Sequence, residues 1–161
     1  SNGENFTEKY VAKPGHSEHQ TGLAVDLGIR GVENDFIRPS FSDKGATQVF
    51  KSKAAEFGFI ERYPKGKESV TKIAYEPWHF RYVGVPHAAI MKERHLTLEE
   101  YTEFIKQEGR FTCSLSRRKV TITYIPAEIG QQIRIETEPD SPYVISGNNV
   151  DGLILTQWRV G

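Results

Sequence analysis

The spacing of apolar residues changes near Arg110, and that change constrains the fold more than any other feature of this 161-residue chain. Over 46–57, apolar residues recur at steps of four and three, which predicts one face of an amphipathic helix. Over 120–125, apolar residues alternate with threonines, which predicts a strand. We therefore expect an α+β domain over 1–110, followed by an all-β extension over 111–161.

Turn and breaker residues divide both regions into shorter elements. Gly58 is placed to end the helix predicted over 46–57. The first region is expected to hold strands at 23–29, 59–63, 70–75 and 78–83 and helices at 86–94 and 96–108. The extension is expected to hold about four strands: one at 120–125, one around Ile133 and Ile135, and a final pair at 143–146 and 153–160.

Composition excludes several classes of function. Lys and Arg together number 21, as do Asp and Glu, so the zero net charge gives no electrostatic reason to expect nucleic acid or an anionic membrane as a partner. A single cysteine, Cys113, excludes an intrachain disulfide framework and a multi-cysteine zinc site. No apolar run approaches the roughly 20 residues that a membrane-spanning helix needs.

A carboxylate inside an apolar segment gives the first indication of a site. Asp26 interrupts the apolar run over 23–27, and a carboxylate in that setting is costly unless it is paired or binds a metal. His19 lies seven residues earlier and could share an ion with Asp26 only if the chain turns between them, which Thr21-Gly22 allows. The alternative is an aspartate paired with an arginine, beside an unrelated histidine.

A second cluster follows at Glu76-Pro77-Trp78-His79. On a regular strand Glu76 and His79 would face opposite sides, but Pro77 favours a turn or bulge that could bring them together. Two histidines and one aspartate as ligands, with one free glutamate, are the groups that zinc-dependent hydrolysis requires. The alternative is a turn with a buried tryptophan. The HExxH pattern is absent, which excludes an ordinary zincin.

Both clusters match motifs of a known family. The run SEHQTGLAVD at 17–26 matches the S-x-H-x-x-G-x-A-x-D motif of the zinc D-Ala-D-Ala carboxypeptidases and dipeptidases, and EPWHFRYVG at 76–84 matches their E-x-W-H motif. The chain therefore resembles this family over about 1–110, with a closer resemblance to the VanY/VanXY-type vancomycin-resistance D,D-peptidases. The extension is similar, at 146–152, to the β extension of some VanXY-type proteins.

The resemblance implies a fold and a set of site residues. The fold is a small antiparallel sheet with flanking helices around a zinc site, of the hedgehog/D-Ala-D-Ala peptidase type. Zinc would be bound by His19, Asp26 and His79. Glu76 would be the general base, which takes a proton from the attacking water and passes it to the leaving amine. Ser17 would bind the substrate, either its terminal carboxylate or a peptide group.

Other residues near the motifs have less specific roles. Trp78 would form a wall of the pocket and help to orient His79. Arg81 shares a strand face with His79 and is grouped with the substrate-binding residues, the alternatives being a supporting contact or an ion pair elsewhere. Arg62 and Tyr63 are weaker candidates for the pocket rim. Three further histidines are expected at the surface: His16, His87 and His95.

One departure from the family pattern affects the expected activity. The family carries a Ser-Gly-Tyr-Arg-Ser segment before the first motif, and the resemblance implies that its arginine stabilises the oxyanion. This sequence has no such segment, so we expect the chain to begin just after it. Loss of one oxyanion donor costs on the order of 10²–10³ in rate.

The leading hypothesis is a zinc-dependent D,D-carboxypeptidase/D,D-dipeptidase that removes the C-terminal D-Ala from peptidoglycan precursors, giving vancomycin resistance or cell-wall remodelling. The alternatives are an L,D-carboxypeptidase acting on a peptidoglycan tetrapeptide and a non-catalytic peptidoglycan-binding module. Expected partners are peptides ending in D-Ala-D-Ala and the segment that precedes the motifs in the family, with no nucleic acid and no membrane span. Resemblance to VanXY proteins favours the cytoplasm, the alternative being the cell envelope outside the membrane. The extension is either a packed appendage or a contact for a partner.

Overall fold

A computed structural model describes residues 15, 17–33, 35–115 and 118–159. Most of the initial segment, His16 and the end of the strand expected at 153–160 lie outside the described residues. The chain divides into two compact units, Ser1–Glu99 and Glu100–Gly161. The division into a catalytic domain over 1–110 and a C-terminal β extension over 111–161 stays a prediction. None of the helices in the described part is long and apolar enough to cross a membrane.

The first unit is built on a small antiparallel sheet with helices beside it. Its strands lie in the order β1-β3-β2. Its helices and strands are, in chain order, β1 (Ala24–Asp26), α1 (Ala46–Ala54), β2 (Phe59–Glu61), α2 (Glu68–Thr71), β3 (His79–Tyr82) and α3 (Val85–Arg94). Two short 3₁₀ turns lie at Glu18–Thr21 and Ala55–Phe57.

The central strand β3 separates the core from a polar face. Phe80 is only 1% exposed and belongs to a hydrophobic cluster with Phe41, Ala54 and Trp78. The Phe80 ring makes an edge-to-face contact with Phe41, with the ring centroids 5.6 Å apart. Because side chains alternate along a strand, the residues on either side of Phe80 face away from this cluster.

Most predicted elements of the first unit are present, with one correction. The helix over 46–57 forms as α1 and the following 3₁₀ turn, and Gly58 ends it with φ +85°. The strand expected at 70–75 is wrong, because the chain instead forms the helical turn α2. There the N–H groups of Thr71 and Lys72 donate to the carbonyls of Lys67 and Glu68, so local helical hydrogen bonds prevail over β-branched composition.

The second unit contains a four-stranded antiparallel sheet. It has the order β4-β5-β7-β6, where β4 is Arg110–Leu115, β5 is Arg118–Pro126, β6 is Tyr143–Gly147 and β7 is Gly152–Trp158. Helix α4 (Leu98–Glu108) spans the sequence boundary between the two units. Within the second unit, Lys106 Nζ on this helix lies 2.7 Å from Asp151 Oδ2 in the β6–β7 connection.

One strand of this sheet differs from the prediction. The residues around Ile133 and Ile135 form no strand, and the fourth strand is β4, which the sequence pattern did not indicate. Ile133 and Ile135 are half-buried while Arg134 between them is exposed. The alternation therefore reflects which side chains are covered. A strand also needs a neighbouring strand whose backbone groups accept and donate its hydrogen bonds. Here β6 and β5 flank β7, and β4 pairs along β5.

Candidate active site

A tight turn brings His19 to Asp26. Ser17 caps the 3₁₀ turn Glu18–Thr21, its Oγ accepting a hydrogen bond from the His19 N–H at 3.4 Å. The turn ends at Gly22, which adopts the left-handed conformation with φ +70°, a conformation that glycine adopts without strain. The chain then reverses into β1, and His19 Nε2 lies 3.4 Å from Asp26 Oδ2. The turn that a shared ion would require is thus present.

Strand pairing brings His79 to the same place. Asp26 on β1 lies directly opposite His79 on β3 in the antiparallel register. Paired residues project to the same face of a sheet, and His79 Nδ1 lies 2.8 Å from Asp26 Oδ1. The rings of His19 and His79 meet edge to face with their centroids 4.9 Å apart. These three residues offer ligand atoms that all lie within 4.8 Å of one another.

This group of donors fits a catalytic zinc ion. Two imidazoles and one carboxylate are a known catalytic ligand set, which leaves a fourth tetrahedral position open. Zinc bonds of about 2.0–2.1 Å place neighbouring tetrahedral ligands about 3.3 Å apart. Asp26 Oδ1 lies 2.8 Å from His79 Nδ1, and Asp26 Oδ2 lies 3.4 Å from His19 Nε2, so each oxygen is near this distance from one of the two histidines. The donor types and their grouping within 4.8 Å of one another therefore fit a zinc site.

Glu76 reaches the group through a second turn. Pro77 and Trp78 form the turn, and the His79 N–H donates to the Glu76 carbonyl at 3.3 Å. The Glu76 N–H donates in turn to the Tyr63 carbonyl at 3.1 Å. As a result Glu76 Oε2 lies 3.9 Å from His79 Nδ1, although a regular strand would place these two side chains on opposite faces.

Burial gives Glu76 a protonation equilibrium suited to proton transfer. The residue is 7% exposed. Burial, reinforced by the charges of Asp26 and Glu18 and opposed by His79, raises the pKa of Glu76 to about 7. A carboxyl group with such a pKa can accept and release a proton near neutral pH, which general acid–base catalysis requires.

The surrounding carboxylates favour a cation at His79. Burial alone would lower the pKa of His79, but hydrogen bonds to Asp26 and Glu18 outweigh it and raise the pKa to about 9. The negative charge that stabilises the imidazolium would also attract a metal cation. Because a metal ligand must be the neutral imidazole, metal binding there competes with a proton.

A buried ion-pair network beside His79 was not anticipated from the sequence. Glu18 Oε1 accepts a hydrogen bond from Arg62 Nε at 2.7 Å. Arg62 is 9% exposed, and its two terminal nitrogens donate to the Glu99 carboxylate at 3.1 Å and 2.7 Å. Burial alone would raise the pKa of Glu18, but His79, Arg62 and Arg81 together lower it to about 2. The available signal was the position of Glu18 next to His19 within the motif.

The structure also locates the proposed substrate-binding residues. Ser17 is half-buried at the start of the 3₁₀ turn, and Arg81 Nη1 lies 3.5 Å from Glu18 Oε2. Trp78 lies in the hydrophobic cluster with Phe80. Tyr63, a weaker candidate, stacks on the His79 ring with the centroids 5.0 Å apart. Contacts of Ser17, Trp78 and Arg81 with substrate stay predictions.

Two of the histidines expected at the surface can be compared with the structure. His95 is exposed and follows α3. His87 is half-buried within α3, and burial lowers its pKa to about 4. The surface expectation is therefore wrong for His87. The physical reason is that α3 packs against the 3₁₀ turn Ala55–Phe57 and β2, which buries Ala88 and leaves the neighbouring His87 only partly exposed.

Comparison with known proteins decides the family. Residues 1–85 match the family model described as VanY, D-alanyl-D-alanine carboxypeptidase. The chain belongs to this family. A D-alanyl-D-alanine carboxypeptidase from Enterococcus faecium is 40% identical over 148 residues, which are 92% of this chain and 46% of that protein. This member of the VanY family thus spans about half the length of that relative.

Solved structures agree with the VanY assignment. The vancomycin resistance D,D-dipeptidase VanXYg, solved with a D-Ala-D-Ala phosphinate analog, is 48% identical with a TM-score of 0.92, over 99% of this chain and 64% of that one. The predicted α+β fold and the resemblance to VanY/VanXY-type peptidases are confirmed.

Two further structures match a smaller part of the chain. The D,D-pentapeptidase VanY from a VanB-type cassette, in complex with Zn(II), is 36% identical with a TM-score of 0.52, over 63% of this chain and 53% of that one. The LD-carboxypeptidase LdcB is 46% identical with a TM-score of 0.54, over 63% of this chain and 47% of that one. The similar solved structures therefore include both D,D-peptidases and an LD-carboxypeptidase.

Proposed function

We propose that this chain carries the catalytic centre of a zinc-dependent D,D-carboxypeptidase/D,D-dipeptidase. One observation carries the proposal: His19, Asp26 and His79 converge within 4.8 Å, with the Glu76 carboxylate 3.9 Å from the His79 ring. The donor set matches a hydrolytic zinc site, and the extra carboxylate supplies the base that such a site needs. The similar VanY structure that contains Zn(II) supports zinc as the metal.

Glu76 and the metal that His19, Asp26 and His79 would hold have different roles in hydrolysis. When bound, zinc acts as a Lewis acid that polarises the scissile carbonyl and lowers the pKa of water. Glu76 accepts a proton as the water oxygen bonds to the carbonyl carbon. The carbon–nitrogen bond then breaks, and Glu76 returns the proton to the leaving amine of D-Ala. Burial, which raises the pKa of Glu76 to about 7 in the metal-free protein, favours a group that can both accept and return the proton.

The proposed substrates are peptides that end in D-Ala-D-Ala. The similarity to VanXYg, solved with a D-Ala-D-Ala phosphinate analog, supports this class of substrate. Ser17 and Arg81 are proposed to contact the peptide, since the first begins the turn that holds His19 and the second shares the β3 face of His79. Removal of the terminal D-Ala would take away the dipeptide that vancomycin recognises.

The test is release of D-Ala by the zinc-loaded protein from three substrates. These are free D-Ala-D-Ala, a pentapeptide ending in D-Ala-D-Ala, and a tetrapeptide with an L-to-D terminal linkage. We expect release from the first two. Release from the tetrapeptide alone would move the protein to the L,D class, to which the similar LdcB belongs. Zinc binding without release from any substrate would indicate a site that only binds.

A further inference from the structure

The two ring nitrogens of His79 face two different carboxylates. Nδ1 lies 2.8 Å from Asp26 Oδ1 and 3.9 Å from Glu76 Oε2, so this nitrogen points into the group of candidate ligands. Nε2 lies 3.5 Å from Glu18 Oε2. Glu18 therefore occupies the side of the ring away from the position that a metal would take.

Glu18 is itself held firmly. Its Oε1 accepts the 2.7 Å hydrogen bond from Arg62 Nε, and its Oε2 lies 3.5 Å from Arg81 Nη1. The two terminal nitrogens of Arg62 donate to Glu99, so the guanidinium is held by Glu99 on one side and by Glu18 on the other. Such two-point arginine–carboxylate contacts impose a defined geometry. We call this series of contacts, Glu99–Arg62–Glu18–His79, the ion-pair network.

The ion-pair network has two separable consequences. One is structural, because it connects the 3₁₀ turn that carries His19 to the residue that follows β2. The other concerns His79 alone, because a carboxylate at Nε2 favours the tautomer in which Nε2 carries the proton and Nδ1 keeps its lone pair. A purely structural role would leave the metal affinity of the folded protein unchanged.

We propose that Glu18 is a positioning residue for the metal centre, which acts by accepting the Nε2–H of His79 and so presenting Nδ1 as the ligand atom. This inference rests on the proposed function, since it presupposes that His79 binds zinc. Metal-binding histidines commonly donate their second N–H to a carboxylate, and loss of that partner typically costs 10–100-fold in metal affinity or activity. Asp26 does not take this role, because it faces the same nitrogen that ligates.

The first test measures the zinc dissociation constant by competition with a chelator. Glu18→Gln keeps the size of the side chain and removes its charge. We expect zinc affinity to fall roughly 10–100-fold. The matched control is Glu93→Gln, because Glu93 is an exposed glutamate on α3, and its zinc affinity should equal that of the wild type. A folded Glu18→Gln protein with wild-type zinc affinity and a lowered Tm would assign Glu18 a structural role and overturn the proposal.

A second test uses the wild-type protein and so does not depend on a variant that folds. In zinc-loaded protein with ¹⁵N-labelled histidine, NMR should show the His79 Nε2 protonated and its Nδ1 bound to metal. The opposite tautomer would overturn the proposal. Absence of zinc binding by the wild type would overturn the proposed function and this inference together, whereas wild-type zinc binding with an unaffected Glu18→Gln variant overturns this inference alone.

Discussion

The two faces of strand β3 are built from opposite kinds of interaction. On one face Phe80 packs into an aromatic cluster with Phe41 and Phe50, with centroid distances of 5.6 Å and 5.1 Å. On the other face His79 and Arg81 contact carboxylates at 2.8 Å and 3.5 Å. Consecutive residues thus serve either the core or the site, because a strand directs successive side chains to opposite sides.

This difference shows how a short strand can hold a charged site in place. The apolar face is covered and supplies the free energy that fixes the backbone of β3. The polar face can then keep histidine and carboxylates at close range without contributing to the core. We expect changes on the polar face to affect metal binding and catalysis first, and changes on the apolar face to affect stability first.

The largest effect on the polar face is expected from His79→Ala. The change removes one of three candidate ligands, so bound zinc and turnover should both be lost. Zinc content after dialysis, measured by mass spectrometry of the metal, checks this. His95→Ala is the matched control, because His95 is exposed and follows α3. Full zinc stoichiometry in the His79 variant would remove His79 from the ligand set.

The apolar face should respond in stability instead. Phe80→Ala leaves a cavity in the aromatic cluster, and the expected loss in unfolding free energy is about 3–5 kcal/mol. Urea denaturation of the metal-free protein measures it. A loss below about 1 kcal/mol would show that the cluster contributes little to holding β3. At temperatures where the variant stays folded, its zinc stoichiometry should match the wild type.

The polar face also predicts how the stability of the metal-free protein depends on pH. Glu76 and His79 have pKa values raised to about 7 and about 9, so the stability they contribute is present at low pH and is lost as pH rises from about 4.5 to 9. Glu18 has a pKa lowered to about 2, so its contribution is present above about 4.5 and is lost as pH falls towards 2.

Chemical denaturation between pH 3 and 10 tests this pattern. A pKa raised from 6.5 to about 9 corresponds to a change on the order of 3 kcal/mol, so the alkaline loss should be readily measured. Zinc should oppose that loss, because metal binding strengthens as the competing proton leaves. Metal-free stability that increases steadily from pH 6 to 9 would contradict the described contacts of His79.

The smallest expected effect is that of Ser17→Ala. The Ser17 hydroxyl caps the 3₁₀ turn through a long hydrogen bond of 3.4 Å, so the expected cost is about 0.5–1 kcal/mol. Thermal unfolding against a Ser69→Ala control, on the short helix α2, measures it. Substrate binding by Ser17 would add an increase in KM, which the cap alone would not cause.

The parts of the site that local turns create could be predicted from the sequence. Gly22 permits the reversal that brings His19 to Asp26, and Pro77 begins the turn that brings Glu76 to His79. Both turns depend on the conformational preferences of single residues, which a sequence displays directly. The helix that Gly58 ends was predicted for the same reason, whereas the antiparallel sheet was expected from the family resemblance.

The contacts between distant residues could not be predicted in this way. Glu18 and Arg62 are 44 residues apart, and Arg62 and Glu99 are 37 apart, so no spacing indicates that they meet. Strand β4 was missed and a strand around Ile133 was expected in error, because alternation alone does not specify which segments pair. Tertiary contacts decide such cases.

The most direct test of the central claim is Glu76→Gln in the zinc-loaded protein. The variant should bind zinc as the wild type does, because Glu76 is not among the three candidate ligands. Its release of D-Ala from a pentapeptide ending in D-Ala-D-Ala should fall by roughly 10²–10⁴, the usual contribution of a general base. Wild-type turnover by this variant, at equal zinc content, would contradict the assignment of Glu76 and of this site as the centre of hydrolysis.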